Sequence, residues 1–181
     1  GIIFKNNMTG LSAEGGNYIG LLAGGAYGGE IYANWIWWND LFDIGKPAWN
    51  SVEGMIHVGG FVGHLKGSKI ENNDIECINV KGYDYVGGYI GTAETPFDND
   101  DTGTIWGASY LCAYAFSTTC DYVGGMVGYY SCDEESAKGM YFQHISVSSE
   151  NICYPLCGNH SKVYYLKPRF LDITYNGLKW Y

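Results

Sequence analysis

Three short stretches decide the fold: Val58-Gly59-Gly60-Phe61-Val62-Gly63, Val86-Gly87-Gly88-Tyr89-Ile90-Gly91 and Val123-Gly124-Gly125-Met126-Val127-Gly128. Two share the approach Asp84-Tyr85 and Asp121-Tyr122. A looser copy, Ile19-Gly20-Leu21-Leu22-Ala23-Gly24, follows Asn17-Tyr18, and a degraded copy is Cys153-Tyr154-Pro155-Leu156-Cys157-Gly158. The copies start at residues 19, 58, 86, 123 and 153, so the steps are 39, 28, 37 and 30. Self-similarity at such a period marks stacked supersecondary units, none of which buries its apolar face alone.

Between the copies lie segments rich in strand-forming residues, bounded by Gly, Asn or Asp: 29–37, 68–80, 103–115 and 138–147. Helical spacing is absent over any long window, so each unit reads as strand and turn only. Unequal steps imply that one face tolerates insertions, here 42–53, 94–101 and 131–137, which carry acidic residues and Pro as exposed loops do. The expectation is an all-β chain: a parallel β-solenoid, or β-helix, of about five irregular coils with loop insertions, its levels about 4.8 Å apart. Residues 1–181 form one such domain or an excerpt of a longer one, clearest over 17–130 and degenerate over 150–181. The Gly1 start and the Lys179-Trp180-Tyr181 finish read as cuts from a longer protein, and no cap is evident at Gly1. Read as one extended strand, the motif puts Val58, Gly60 and Val62 on one face and Gly59, Phe61 and Gly63 on the other. Leu22, Phe61, Tyr89 and Met126 then form an apolar ladder flanked by glycines that admit close backbone approach.

The repeated Val-Gly-Gly-aromatic-Val-Gly, followed by an Ile-containing polar strand, resembles the GLUG-motif repeats of large surface and secreted proteins. The resemblance runs from about Asn17 to Gly158 and departs from the motif at Leu21, at Pro155 and in the Trp-rich inserts. It implies a parallel β-solenoid segment of an adhesin-like protein and brings no catalytic residues with it.

Composition narrows the functions. The chain has 181 residues, 46% hydrophobic and 16% charged, with 19 acidic against 10 basic side chains and a formal charge of -9. Arg169 is the single arginine, so a phosphate-tracking surface, and with it nucleic-acid binding, is excluded. No apolar run approaches the roughly 20 residues of a membrane span. Six cysteines (Cys77, Cys112, Cys120, Cys132, Cys153, Cys157) make an even set without a CxxC pair; they are disulfide candidates with fifteen pairings open. Cysteine parity, acidity and 17 Tyr point to an extracellular or cell-surface setting. The sequons at Asn7 and Asn159 are candidate glycosylation sites.

Several constellations are candidates for chemistry, each beside a plainer reading. Asp98, Asp100 and Thr102 place oxygens at alternate positions before Gly103, as calcium loops do, but position twelve is Ser109, and the alternative is a solvated acidic loop. His144, His160, Cys153 and Cys157 have loose spacing for zinc, and disulfides or buried thiols explain the cysteines better. His57 and His64 flank the second motif at expected strand ends, without a Gly-x-Ser-x-Gly elbow. Asp84 and Asp121 share a repeat position, as stacked carboxylates of a polysaccharide-active enzyme would, or each accepts a turn hydrogen bond. Trp35, Trp37, Trp38, Trp49 and Trp106 lie in or beside inserts, where exposed rings stack on sugars or partners and buried rings cap a small core. Trp35 and Trp37 alternate onto one face, away from Tyr32 and Trp38. Eight scattered Thr exclude an ice-binding array. The leading expectation is a non-catalytic structural and adhesive segment that needs no cofactor and associates with copies of itself or neighbouring segments. A carbohydrate-binding module using the Trp/Tyr inserts is the alternative, and a polysaccharide-active enzyme the third reading.

Overall fold

A computed structural model describes residues 1–37, 50–76, 78–97, 113–117, 122–137, 141–149, 153–167, 170–175 and 178–180. The chain is all-β with parallel sheets. Its strands arise in rounds. The first is β1 (Ile2–Phe4), β2 (Asn7–Thr9), β3 (Ser12–Glu14) and β4 (Asn17–Ile19); the second is β5 (Ala23–Tyr32), β6 (Trp35–Trp37), β7 (Asn50–Glu53) and β8 (Ile56–Gly59). The third is β9 (Val62–Glu71), β10 (Asp74–Ile75), β11 (Ile78–Lys81) and β12 (Asp84–Gly87). Then come β13 (Ile90–Ala93), β14 (Ala113–Ser117), β15 (Val123–Gly124), β16 (Val127–Tyr130), β17 (Tyr141–Ser149) and β18 (Cys153–Tyr154). A 3₁₀ helix, His160–Tyr165, precedes β19 (Phe170–Tyr175) and β20 (Leu178–Trp180).

Each strand but β20 pairs with its equivalent one round away. The first sheet runs β1-β5-β9-β13-β16, the second β2-β6-β10, the third β3-β7-β11-β14-β17-β19-β20 and the fourth β4-β8-β12-β15-β18. Among the described residues every strand pairing is parallel except β19 with β20. Register makes columns of like residues: Ile19–Val58–Val86–Val123 in the fourth sheet, Ala23–Val62–Ile90–Val127 and Ile3–Ile31–Ile70 in the first, Met8–Ile36–Ile75 in the second. Val58, Val62, Ile70, Ile36, Val86 and Ile90 are fully buried, each worth about 1.5–3 kcal/mol over exposure. Cys153 pairs with Val123 and Cys157 bridges to Val127, so the degraded fifth copy takes its expected place.

The motif is not one straight strand. Val58-Gly59 ends β8, Gly60-Phe61 turns a corner, and Val62-Gly63 begins β9, with the same division at residues 86–91 and 123–128. At this seam the fourth and first sheets meet backbone to backbone. A Cβ on Gly63 would lie 2.5 Å from Gly24 O, 2.6 Å from Ile19 N and 2.7 Å from His57 O. The glycines are therefore required by close approach across two rounds. The corner residues form the expected ladder. Phe61 and Tyr89 rings stack at 5.1 Å, Leu22 N donates to Phe61 O (3.0 Å), and Tyr89 N donates to Met126 O (3.0 Å).

A second corner, between the first and second sheets, is built on asparagine. Asn6 Nδ2 donates to Asn34 Oδ1 (2.8 Å), and Asn34 Nδ2 donates to Asn73 Oδ1 (2.8 Å), while Asn34 and Asn73 are wholly buried. The residue before each, Lys5, Ala33 and Asn72, has φ of 54°, 54° and 50°, so the chain turns there through the left-handed region. Such amide columns satisfy buried backbone groups in one round with side chains of the next.

Candidate functional site

A continuous stack of rings lies outside the glycine seam. Tyr18, His57, Tyr85 and Tyr122 each stand one residue before the first position of a motif copy. Tyr18, His57 and Tyr85 have φ of 59°, 57° and 52°. Left-handed backbone within or just ahead of a strand is costly for a non-glycine residue, of order 1–3 kcal/mol, and persists only where surroundings hold it. The result is a face-to-face stack: Tyr18–His57 at 4.7 Å, His57–Tyr85 at 4.8 Å and Tyr85–Tyr122 at 5.2 Å, with planes within 10°. The spacing is that of the strands themselves, so sheet register sets ring separation.

Side chains of the first sheet lean on this stack. His64 stacks on His57 at 5.3 Å and meets Tyr27 edge-on at 5.4 Å, and Tyr129 meets Tyr122 edge-on at 5.1 Å. His57 Nδ1 lies 2.7 Å from Thr92 Oγ1. His64, only 9% exposed, has Nε2 2.9 Å from Glu94 Oε1 and Nδ1 3.1 Å from the Tyr27 hydroxyl. Lys66 Nζ completes the chain at 2.7 Å from Glu94 Oε2. His64 therefore bridges the Tyr27 hydroxyl and the Glu94 carboxyl through its two ring nitrogens. The hydrogen bond from Lys66 holds the Glu94 carboxyl below its usual range, and burial, with His64 alongside, pushes the His57 imidazole down. Burial, then Tyr18 and Glu94, raises the Tyr27 phenol. Tyr27, His64 and Glu94 are thus joined in one hydrogen-bonded chain beside the ribbon.

At its Tyr122 end the ribbon opens into a groove of about 500 Å³ whose lining includes Tyr122, Tyr129, Tyr154, Asn159, His160 and Lys162. Tyr154 and His160 rings lie 4.9 Å apart. Asn159 is held by both ends of its amide: Tyr130 N donates to Oδ1 (2.8 Å) and Nδ2 donates to Tyr130 O (2.6 Å).

No family model matches the sequence, no curated protein matches it, and no solved structure matches the fold.

Of the residues singled out by sequence, Trp35 and Trp37 share the outer side of β6, half-buried, with Ile36 fully buried between them. The Trp35/Trp37 alternation is thus as expected. Trp38, Trp49, Trp106, Asp98, Asp100, Thr102, Asp121, Cys77, Cys112 and Cys120 lie outside the described residues, and of Cys153 and His144 only the backbone is described. Cys132 and Cys157 are free thiols, and Cys157 Sγ donates to Asn159 Oδ1 (2.8 Å). Burial pushes the Cys157 thiol up to about 12. No group of three or more potential metal ligands occurs among the described residues. Asn7 is exposed, whereas the Asn159 amide is engaged as described. His57 and His64 stand within β8 and β9, not at strand ends, because the motif bends where a straight strand was expected. Asp84 Oδ1 accepts from Tyr85 N (2.9 Å), as the plainer reading has it.

The ribbon itself is missed by a residue-type search. Its signal is positional: an aromatic or His one step before each of the first four copies. The outer partners Tyr27, His64, Thr92 and Glu94 follow from corner geometry, which periodicity does not carry.

Proposed function

We propose that the chain is a segment of a parallel β-solenoid of GLUG-type repeats, serving as a non-catalytic structural and adhesive element of an extracellular surface or filament-forming protein. The observation that carries this reading is the level-by-level registry of unlike repeats. Steps of 39, 28, 37 and 30 residues still place every copy of the motif in one parallel column. Chain is thus invested in stacking, through valine, asparagine and aromatic columns, while length variation falls between corners. Stacked levels give a rod whose ends are strand edges, and strand edges pair with further levels of the same kind. The partners proposed are copies of the chain or neighbouring segments of its parent protein.

Electron microscopy of the protein isolated from its source, near neutral pH, tests this. Filaments in which the 181 residues repeat along the axis are expected. Discrete particles that never associate would overturn the filament role.

A further inference from the structure

From the groove at the end of the aromatic ribbon, we infer a binding site for the ring of a neutral saccharide. Tyr122 and Tyr129 set two aromatic planes at 81° to one another, and Tyr154 with His160 contributes a second pair of rings tilted by 34°. A sugar ring offers C–H faces to aromatic planes and hydroxyls around its rim, which is the combination this groove meets. The groove's volume of about 500 Å³ accommodates one or two such rings, and its lining is more polar than apolar, which disfavours a hydrophobic peptide side chain as occupant.

The walls are in place before any ligand arrives. Tyr122 is stacked on Tyr85, and both ends of the Asn159 amide are tied to the Tyr130 backbone. Little ordering entropy is then lost on binding. Charge selects against acidic glycans. Lys162, which lines the groove, is ion-paired with Asp133 and lies 5.3 Å from the Tyr165 ring centroid, and the chain as a whole carries -9. An anionic polymer would meet this overall repulsion, and the groove's lysine is already paired with a carboxylate. Exposed Ser161 and His160 supply the hydrogen-bonding groups that a hydroxylated ring needs.

The site is separate from the stacking role: a protein that forms no filaments would still bind here. The test is affinity electrophoresis in native gels containing a soluble β-glucan, α-mannan or galactan, followed by calorimetric titration with oligosaccharides of the retarding polymer. Retardation by at least one neutral polymer is expected. Tyr154→Ala and His160→Ala should each weaken binding about tenfold, the loss of one aromatic contact. Phe4→Ala, which removes an exposed ring on β1 outside the groove and the ribbon, should leave it unchanged. His160 is exposed on the 3₁₀ helix, so its variant carries the test if Tyr154→Ala does not fold. The proposal is overturned by no retardation in any neutral gel, by retardation only with a sulfated or uronate polymer, by groove variants that bind normally, or by loss of binding in Phe4→Ala.

Discussion

Replacing Asn34 by Ala is the most direct probe of what holds successive rounds in register. Asn34 has no exposed surface, and its amide joins three rounds. Nδ2 donates to Asn73 Oδ1 at 2.8 Å, Ile3 O at 3.1 Å and Tyr32 O at 3.2 Å, while Oδ1 accepts from Asn6 Nδ2 at 2.8 Å and Asn6 N at 3.2 Å. In Asn34→Ala the buried Asn73 Oδ1 keeps its bond from Asn34 N (3.1 Å), so it is not orphaned. Ile3 O and the Asn6 groups lose their amide partner and reach water only in part. Two well-formed bonds at about 1 kcal/mol each, with a partial desolvation penalty on the carbonyl, give about 2–4 kcal/mol. Asn6→Ala is the matched control. Asn6 is exposed, and Asn34 Oδ1 would retain the Asn6 N–H, so the loss should be about 0.5–1 kcal/mol. Urea denaturation followed by tryptophan fluorescence measures both, with the midpoint shift read at constant m. If Asn34→Ala falls within about 0.5 kcal/mol of Asn6→Ala, the buried amide column does not hold the rounds together.

Other expectations follow from the same geometry. Gly63→Ala drives a Cβ into three backbone atoms of two rounds and should cost about 4 kcal/mol or abolish folding. Gly67→Asn, at φ +66° with nothing nearer than 3.9 Å, should cost no more than about 1 kcal/mol in the same urea assay. Glu76, 8% exposed beside Asp74, has its carboxyl pushed up to about 7, first by burial and then by Asp74. A raised carboxyl pKa means the unfolded state ionises first, so stability falls as pH rises from about 4.5 to 7. Glu76→Gln should therefore gain up to about 3 kcal/mol at pH 8 and little at pH 4; equal gains at both pH values would refute this. Cys157, buried and with its thiol held far above neutrality, should resist a disulfide-exchange reagent at pH 8 until the protein unfolds, as peptide mapping by mass spectrometry would show.

Much of this was legible in the residues. The motif copies at 19, 58, 86, 123 and 153 fix which strands pair, and all five stand in one column. The ladder from Leu22 to Met126 was visible because corner positions repeat. The path of the motif was not. Alternation assumes an extended chain, whereas Gly60-Phe61 turns, so Val58, Phe61 and Val62 all face the core. The asparagine corner was hidden because Asn6, Asn34 and Asn73 look like turn residues, and only register reveals their stacking. The outer ribbon escaped for a different reason. Tyr18, His57 and Tyr85 adopt left-handed backbone, which neither strand alternation nor aromatic counting anticipates.

The glycine seam has a consequence for how such a chain changes over time. Because the three central copies carry glycine at the same seam positions, one such seam can replace another. A chain cut after Gly59 and rejoined at Gly88 would lose one 28-residue step and present an unchanged junction. Duplication between equivalent glycines would lengthen it by one level just as cleanly. Recombination at these points edits reach without inventing a new interface, whereas an insertion inside the seam would break contacts on both sides at once.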